Sequence, residues 1–277
     1  MAEHERQEER LAKVMASRGV ASRREAEDLI RAGRVSVNGD VVEHPACFVD
    51  PDQDAVRVDG KALPPAPPQR YFLMYKPRGT ITGRDDPQGR DSVLDLLDST
   101  RVKVEPVGRL DYDTEGALLL TNDGELAHRL THPSSEVPKR YLAKVYRTPS
   151  EEDLRAIESG VFLDDGRTRP AKARIVRRTD KGNAWVEITV TEGRNRLIRR
   201  MMAQLGHPVS KLRRESFATL SIQGMDRGQV RRLTPSEVRR LEDLAAGEAP
   251  GRAGKVRRRK GWARAKPKKK RLGKKRR

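Results

Sequence analysis

The spacing of apolar positions changes repeatedly along the chain, and each change of period announces a different element. Leu11, Val14 and Met15 keep helical spacing. Ser22-Arg23-Arg24-Glu25 has the form of a capping box, and Ala26, Leu29 and Ile30 continue it as the buried face of a second helix. The period then falls to two. VSVNGDVV alternates Val35 and Val37 ahead of an Asn38-Gly39 turn, and VRVDGKAL repeats the arrangement at Asp59-Gly60, so two hairpins are predicted. LPPAPPQ, residues 63–69, reads as a stiff proline-rich linker between a small unit over 8–62 and a larger one over 70–245.

The larger unit mixes strands and helices without a βαβ rhythm. YFLMY (71–75) suits a buried strand and SVLDLL (92–97) a short helix. KRYLAKV (139–145) alternates, with Tyr141, Ala143 and Val145 on one face. Thr148-Pro149-Ser150-Glu151 caps a helix that Gly160 ends, and two hairpins are centred on Asp165-Gly166 and Lys181-Gly182, the second leading into WVEITV. Ile198, Met201, Met202 and Leu205 have the i, i+3, i+4, i+7 spacing of a buried helix face, which puts Arg196, Arg199 and Arg200 to its other sides. The fold class expected is α+β with a mixed, mainly antiparallel sheet.

Composition and charge sharpen this outline. The single cysteine, Cys47, excludes an internal disulfide and a cysteine cluster for zinc. The opening MAEHERQEERLAKV has no apolar signal core and no long apolar run follows, so a soluble cytoplasmic protein is expected, away from membranes. From Gly251 onward there are 16 Lys and Arg and no acid, leaving 43 basic against 40 acidic groups in the first 250 residues. The segment 246–277 is therefore read as a disordered basic tail whose natural partner is a polyanion, although a purely solubilising tail has the same composition. The small unit adds Arg18, Arg23, Arg24, Arg31 and Arg34, with Glu25, Glu27 and Asp28 interspersed as on an ordinary solvated face.

Candidate chemistry centres on VGRLDYDTEGALLLTNDGELAHR, residues 107–129. Asp111, Asp113, Glu115 and Gly116 match the start of a calcium loop, but Asn122 stands where its closing Glu belongs and the flanks look like strands rather than helices. A glycosidase pair of Asp111 and Asp113 fits poorly, because Asp113 in a turn is better used on the backbone. Asp123 is suited to cap the helix holding Leu126 and Leu130. Asp111 is left without a structural task other than a surface pair with Arg109. The arginines of TEGRNRLIRRMMAQLGH could instead receive a phosphate or pair with a carboxylate.

RLAKVMASRGVASRREAEDLIRAGRVSVNGDVV closely resembles the small αL-type RNA-binding domain first described in a ribosomal small-subunit protein, the S-four type. YKPRGTITGRDDPQGRDSVLDLL, GRLDYDTEGALLLTNDG, KRYLAKV and EGRNRLIRRMM, in that order, resemble the motif set of the ribosomal RNA pseudouridine synthases that carry such a module in front. The resemblance spans about residues 9–245, and DPQGR followed by DSVLDLL favours the large-subunit enzymes. It implies that Asp111 is the catalytic aspartate, Arg109 assists the flipped nucleotide, Tyr141 lies against the target base, Ile198 and Leu110 line the pocket, and Arg199 pairs with Asp111. It also implies ribosomal RNA as partner, met by Arg18, Arg23, Arg24, Arg31, Arg34, Lys76, Arg78, Lys139, Arg194 and Arg196, and a monomer using no metal or other cofactor. The chain departs from the family pattern at Leu197, where Gln is usual, at Ala117, often Leu, and at Tyr75, usually Asn. A catalytically inactive RNA-binding factor of the ribosome is the alternative, which the presence of Asp111, Tyr141 and Arg199 together disfavours.

Overall fold

The computed structural model describes residues 8–83, 86, 88–97 and 103–247. The basic tail beyond Gly247 lies outside them. The N-terminal module contains helices Leu11–Ser17 and Arg23–Arg31. The Ser22 hydroxyl accepts from the Glu25 N–H while the Glu25 carboxylate accepts from the Ser22 N–H, so the capping box closes in both directions. Strands Asp40–Val42, Val35–Val37, Val56–Val58 and Lys61–Ala62 form a four-stranded antiparallel sheet in that order, with hairpin turns at Asn38-Gly39 and Asp59-Gly60. Asn38 and Asp59 both take positive φ there, as tight hairpins require. Leu11, Met15, Ile30 and Val35 are almost wholly buried between helices and sheet.

The larger unit is built on a nine-stranded sheet. Along it lie Lys172–Arg178, Ala184–Val190, Lys139–Val145, Val209–Phe217, Thr114–Thr121, Tyr71–Lys76 and Val230–Arg232. Every pairing on this path is antiparallel except Val209–Phe217 with Thr114–Thr121, which run parallel with Arg214 opposite Gly116. Gly116 is required at that junction. It sits at φ +126°, and a Cβ there would run into the Arg214 backbone.

The central strands are buried on both faces. Tyr71, Leu73 and Tyr75 join Ala117 and Leu119 in one cluster, under helices Gly124–Thr131 and Pro235–Ala245. Met74, Leu118 and Leu120 face the opposite way, against Val93, Val104 and Leu110. A third cluster packs helices Glu151–Ser159 and Leu197–Gln204 on the other half of the sheet through Ile157, Ile198, Met201 and Met202. The helix face read from Ile198, Met201 and Met202 is thus the buried one. Among the described residues no helix is long and apolar enough to cross a membrane.

Two local expectations are corrected. Residues 92–97 form turns and not a helix. The Asp95 carboxylate accepts from the Ser92 N–H and the Ser92 hydroxyl from the Leu94 N–H, so side chains take the place of helical carbonyls. The Glu151–Ser159 helix is capped by Ser150 with Asp153, two residues further on than Thr148 with Glu151, because the Thr148 hydroxyl is spent on the Gly182 carbonyl. Gly160 ends the helix, and Asp123 caps Gly124–Thr131 by accepting from the Leu126 N–H, both as expected.

Candidate active site

The segment between Pro106 and Thr114 is a loop that leaves a short edge strand and enters the central one. Its conformation is held by the incoming loop after Tyr71–Lys76. The Thr82 hydroxyl, almost fully buried, donates to the Leu110 carbonyl at 2.7 Å and accepts from the Leu110 N–H at 3.2 Å. The Gly79 N–H donates to the Tyr112 carbonyl at 2.9 Å, and the Thr114 N–H closes a turn on the Asp111 carbonyl at 3.0 Å. Asp111 is therefore clamped through the backbone on both sides. Thr82 was not foreseen as part of the site, since a lone threonine in a polar loop carries no pattern.

Two carboxylates and two guanidiniums meet at this turn. Arg199, whose side chain is 11% exposed, places Nη2 2.8 Å from the Asp113 Oδ2 and donates to the carbonyls of Asp113 and Val209. Arg196 lies 3.5 Å from the Asp113 Oδ1 and 3.8 Å from the Asp111 Oδ2. The expected pair of Arg199 with Asp111 is thus corrected: Arg199 belongs to Asp113, and Asp111 has Arg196 as its nearest counter-charge among the described residues. The expectation that Asp113 spends its side chain on the backbone is corrected with it. The reason lies in the parallel pairing, which sets Leu212 opposite Thr114 and so brings the start of that strand and the Leu197–Gln204 helix to the turn, where Arg199 meets its far corner. Arg196 reaches both acids because it holds a left-handed conformation, φ 46°, just ahead of that helix. Arg109 is exposed and makes no ion pair with a described residue, Asp111 included.

The chain neighbours of Asp111 and Arg199 expected to line a pocket are apolar and buried. Leu110 and Ile198 are 6% and 3% exposed, in different clusters. Tyr141 packs against both of those clusters and pairs across the sheet with Ile188 and Arg214. Of the departures from the family pattern, Leu197, Ala117 and Tyr75 are all buried, and Ala117 supplies its carbonyl to the Arg214 Nε.

The ten residues expected to meet RNA divide by what already holds them. Lys76 is corrected outright: it is wholly buried, and its ammonium donates to the carbonyls of Pro77 and Thr114, both at 3.0 Å. Desolvation lowers its pKa from 10.5 to about 8, against the opposing pull of Asp111, Asp113 and Glu115. It is a cationic pin beneath the turn and not a phosphate contact. Lys139 donates to the Thr191 carbonyl and is likewise lowered by desolvation to about 8. Arg34 forks onto Asp59, Arg31 onto Glu27 and Asp28, and Arg194 ties Glu192 to the Asp165–Arg167 turn. Arg18 bonds the carbonyls of Pro51 and Pro64. Arg23, Arg24 and Arg78 stay exposed without an ion pair to any described residue. Among the described residues no group of three His, Cys, Asp or Glu side chains could hold a metal ion.

Comparison with known proteins meets this geometry at the same segments. Residues 70–204 match the family model described as RNA pseudouridylate synthase, and residues 9–54 match that of the S4 domain. Ribosomal large subunit pseudouridine synthase B of Bacillus subtilis is 48% identical over 238 residues, covering 86% of this chain and 97% of that protein. An uncharacterized RNA pseudouridine synthase of Aquifex aeolicus is 42% identical over 236 residues, covering 84% of this chain and 94% of that one. The crystal structure of a pseudouridylate synthase superposes with a TM-score of 0.61 at 31% identity, over 84% of this chain and 99% of its own. With both modules present in order and near-complete mutual coverage, the chain belongs to the RNA pseudouridine synthase family, in the group that places an S4 domain ahead of the synthase domain.

Proposed function

We propose that this protein isomerises a specific uridine of large-subunit ribosomal RNA to pseudouridine, with Asp111 as the reacting carboxylate and without a cofactor. The observation that carries the assignment is the division of labour at the turn. Asp113 neutralises the buried Arg199, while Asp111, held by its backbone, keeps its side chain 29% exposed, with Arg196 at 3.8 Å as its nearest ion-pair partner among the described residues. A carboxylate used structurally would be saturated with close donors; this one is oriented and left available. The substrate class is supported by the relatives in Bacillus subtilis and in Vibrio cholerae, the latter 40% identical over 243 residues, both of which are ribosomal large subunit pseudouridine synthases B.

Turning uridine into its C-glycoside breaks the N1–C1′ bond, turns the uracil over, joins C5 to C1′ and releases the C5 hydrogen as a proton, while the freed N1 takes up a proton in its place. Asp111 serves as nucleophile or base, and Arg196 offsets its charge. The base must leave the stack at a cost of a few kcal/mol, and Tyr141, which packs against the clusters that hold Leu110 and Ile198, recovers part of that by stacking on it. Arg109 and Arg78, exposed beside the turn, receive the phosphates of the extruded nucleotide, and Arg23 and Arg24 position the rest of the RNA from the N-terminal module. The test is release of tritium from C5-labelled large-subunit RNA, followed by mapping of the new pseudouridine against RNA from cells lacking the gene. RNA binding with no tritium release from any ribosomal RNA would replace this proposal with an inactive binding factor.

A further inference from the structure

Tyr112 stands out as an aromatic side chain 45% exposed at the corner of the Asp111–Thr114 turn. Its backbone carbonyl is fixed by the Gly79 N–H at 2.9 Å, which anchors the main chain that carries the ring. The Arg90 guanidinium lies over that ring, its Cζ 5.3 Å from the centroid. Arg90 is itself locked: Nε and Nη2 fork onto the two oxygens of Asp86 at 2.8 and 2.7 Å, and its own N–H donates to the same carboxylate. That fork shuts Asp86 away, 6% exposed, and holds its carboxyl well below the usual carboxylate range, while Arg90 keeps its side chain 38% exposed. The Tyr112 hydroxyl bonds no described residue. A planar cation and a ring, both fixed and both still open to solvent, are the parts of a stacking surface.

We propose that Tyr112 and Arg90 form a stacking shelf for the unpaired nucleobase adjacent to the target uridine. The inference rests on Asp111 as the reaction centre, since Tyr112 is its chain neighbour. Extruding a uridine deprives the next base of its stacking partner, and a fixed aromatic beside the site restores that contact without reading sequence. The cations around it match a nucleic-acid strand: Arg78 and Arg109 are exposed and unpaired with any described residue. A merely structural ring, clamping the loop around Gly79, would instead be a stability element.

The experiment uses a large-subunit RNA stem-loop that the unaltered protein modifies, with 2-aminopurine placed on either side of the target uridine. Tyr112→Leu should raise KM about tenfold, within the lower half of the range for one aromatic–base stack, with kcat within about twofold. It should leave 2-aminopurine brighter in the complex than with the unaltered protein, at one of the two positions. Tyr112→Phe and Tyr112→Trp should match the unaltered protein, because the face and not the hydroxyl is used. Arg90→Lys, which keeps the charge but not the plane, should raise KM by a smaller factor. Equal KM and equal fluorescence for Tyr112→Leu and the unaltered protein overturn the shelf, as does a lowered melting midpoint accompanied by a fall in kcat at constant KM. Absence of tritium release from the unaltered protein on any ribosomal RNA would strike the assignment of the reaction instead.

Discussion

Lys76→Met separates what the buried ammonium costs from what it holds. The side chain is wholly buried, and desolvation takes its pKa from 10.5 in the unfolded chain to about 8. At about 1.36 kcal/mol per pH unit, the charged form destabilises the native state by about 3 kcal/mol near neutrality. The sign follows from proton counting. Below pH 8 both states hold the proton and the penalty is fully present; between pH 8 and 10.5 the unfolded chain holds it and the native state does not, so stability rises with pH. Methionine fills similar volume without charge but leaves the carbonyls of Pro77 and Thr114 without their donor, a loss of about 1–3 kcal/mol each. The two effects oppose each other at pH 7, where the variant should lie within about 3 kcal/mol of the unaltered protein. The distinguishing quantity is the stability difference between the two proteins in urea titrations from pH 7 to 10. Lys139, Tyr71 and Cys47 titrate alike in both and drop out of it. The unaltered protein should gain about 2–3 kcal/mol on the variant over that range. A difference that stays flat, or that moves toward the variant, would refute the claim that Lys76 is a desolvated cation under the turn.

Three further outcomes are expected. Asp113→Asn removes the 2.8 Å partner of Arg199 while sparing its bonds to two carbonyls, so kcat should fall by about tenfold and stability by about 1–3 kcal/mol, measured by tritium release and melting; unchanged kcat would mean that Arg199 does not need Asp113. Gly116→Ala should cost about 3 kcal/mol or more, visible as loss of soluble folded protein, because the new methyl meets the Arg214 backbone at a positive φ; a normal melting curve would contradict the parallel register. Changing Arg23 and Arg24 together to Ala should lower the slope of log affinity against log salt by about 2 in RNA titrations, whereas Arg34→Ala, which breaks a fork with Asp59, should change it less. Equal slopes for both variants would argue against that division of the module's cations.

The N-terminal module was almost fully legible because its signals are local. A capping box and two Asn-Gly or Asp-Gly hairpins are decided within a few residues, and Ser22, Asn38 and Asp59 behave as their neighbours dictate. The helix face of Ile198, Met201 and Met202 was legible for the same reason. The pairing at the site was not. Whether Arg199 meets Asp111 or Asp113 depends on the parallel register of strands about a hundred residues apart in sequence, Leu212 opposite Thr114, which no spacing reveals. Lys76, which the resemblance implies as an RNA contact, is buried instead. Its signal lay in the strand before it: YFLMY is apolar at successive positions, which means both faces are covered, so the next residue also enters the interior. SVLDLL misled because its serine and aspartate satisfy the local backbone themselves.

The central claim, that Asp111 reacts and its neighbours position, is tested most directly by Asp111→Asn in a tritium-release assay paired with RNA binding. The substitution keeps shape and removes the charge from a side chain whose nearest counter-charge among the described residues is Arg196 at 3.8 Å, so stability should change by no more than about 1 kcal/mol. RNA affinity should stay near that of the unaltered protein while tritium release falls by roughly a thousandfold or more. Release within tenfold of the unaltered protein, or an inactive Asp113→Asn beside an active Asp111→Asn, would contradict the account.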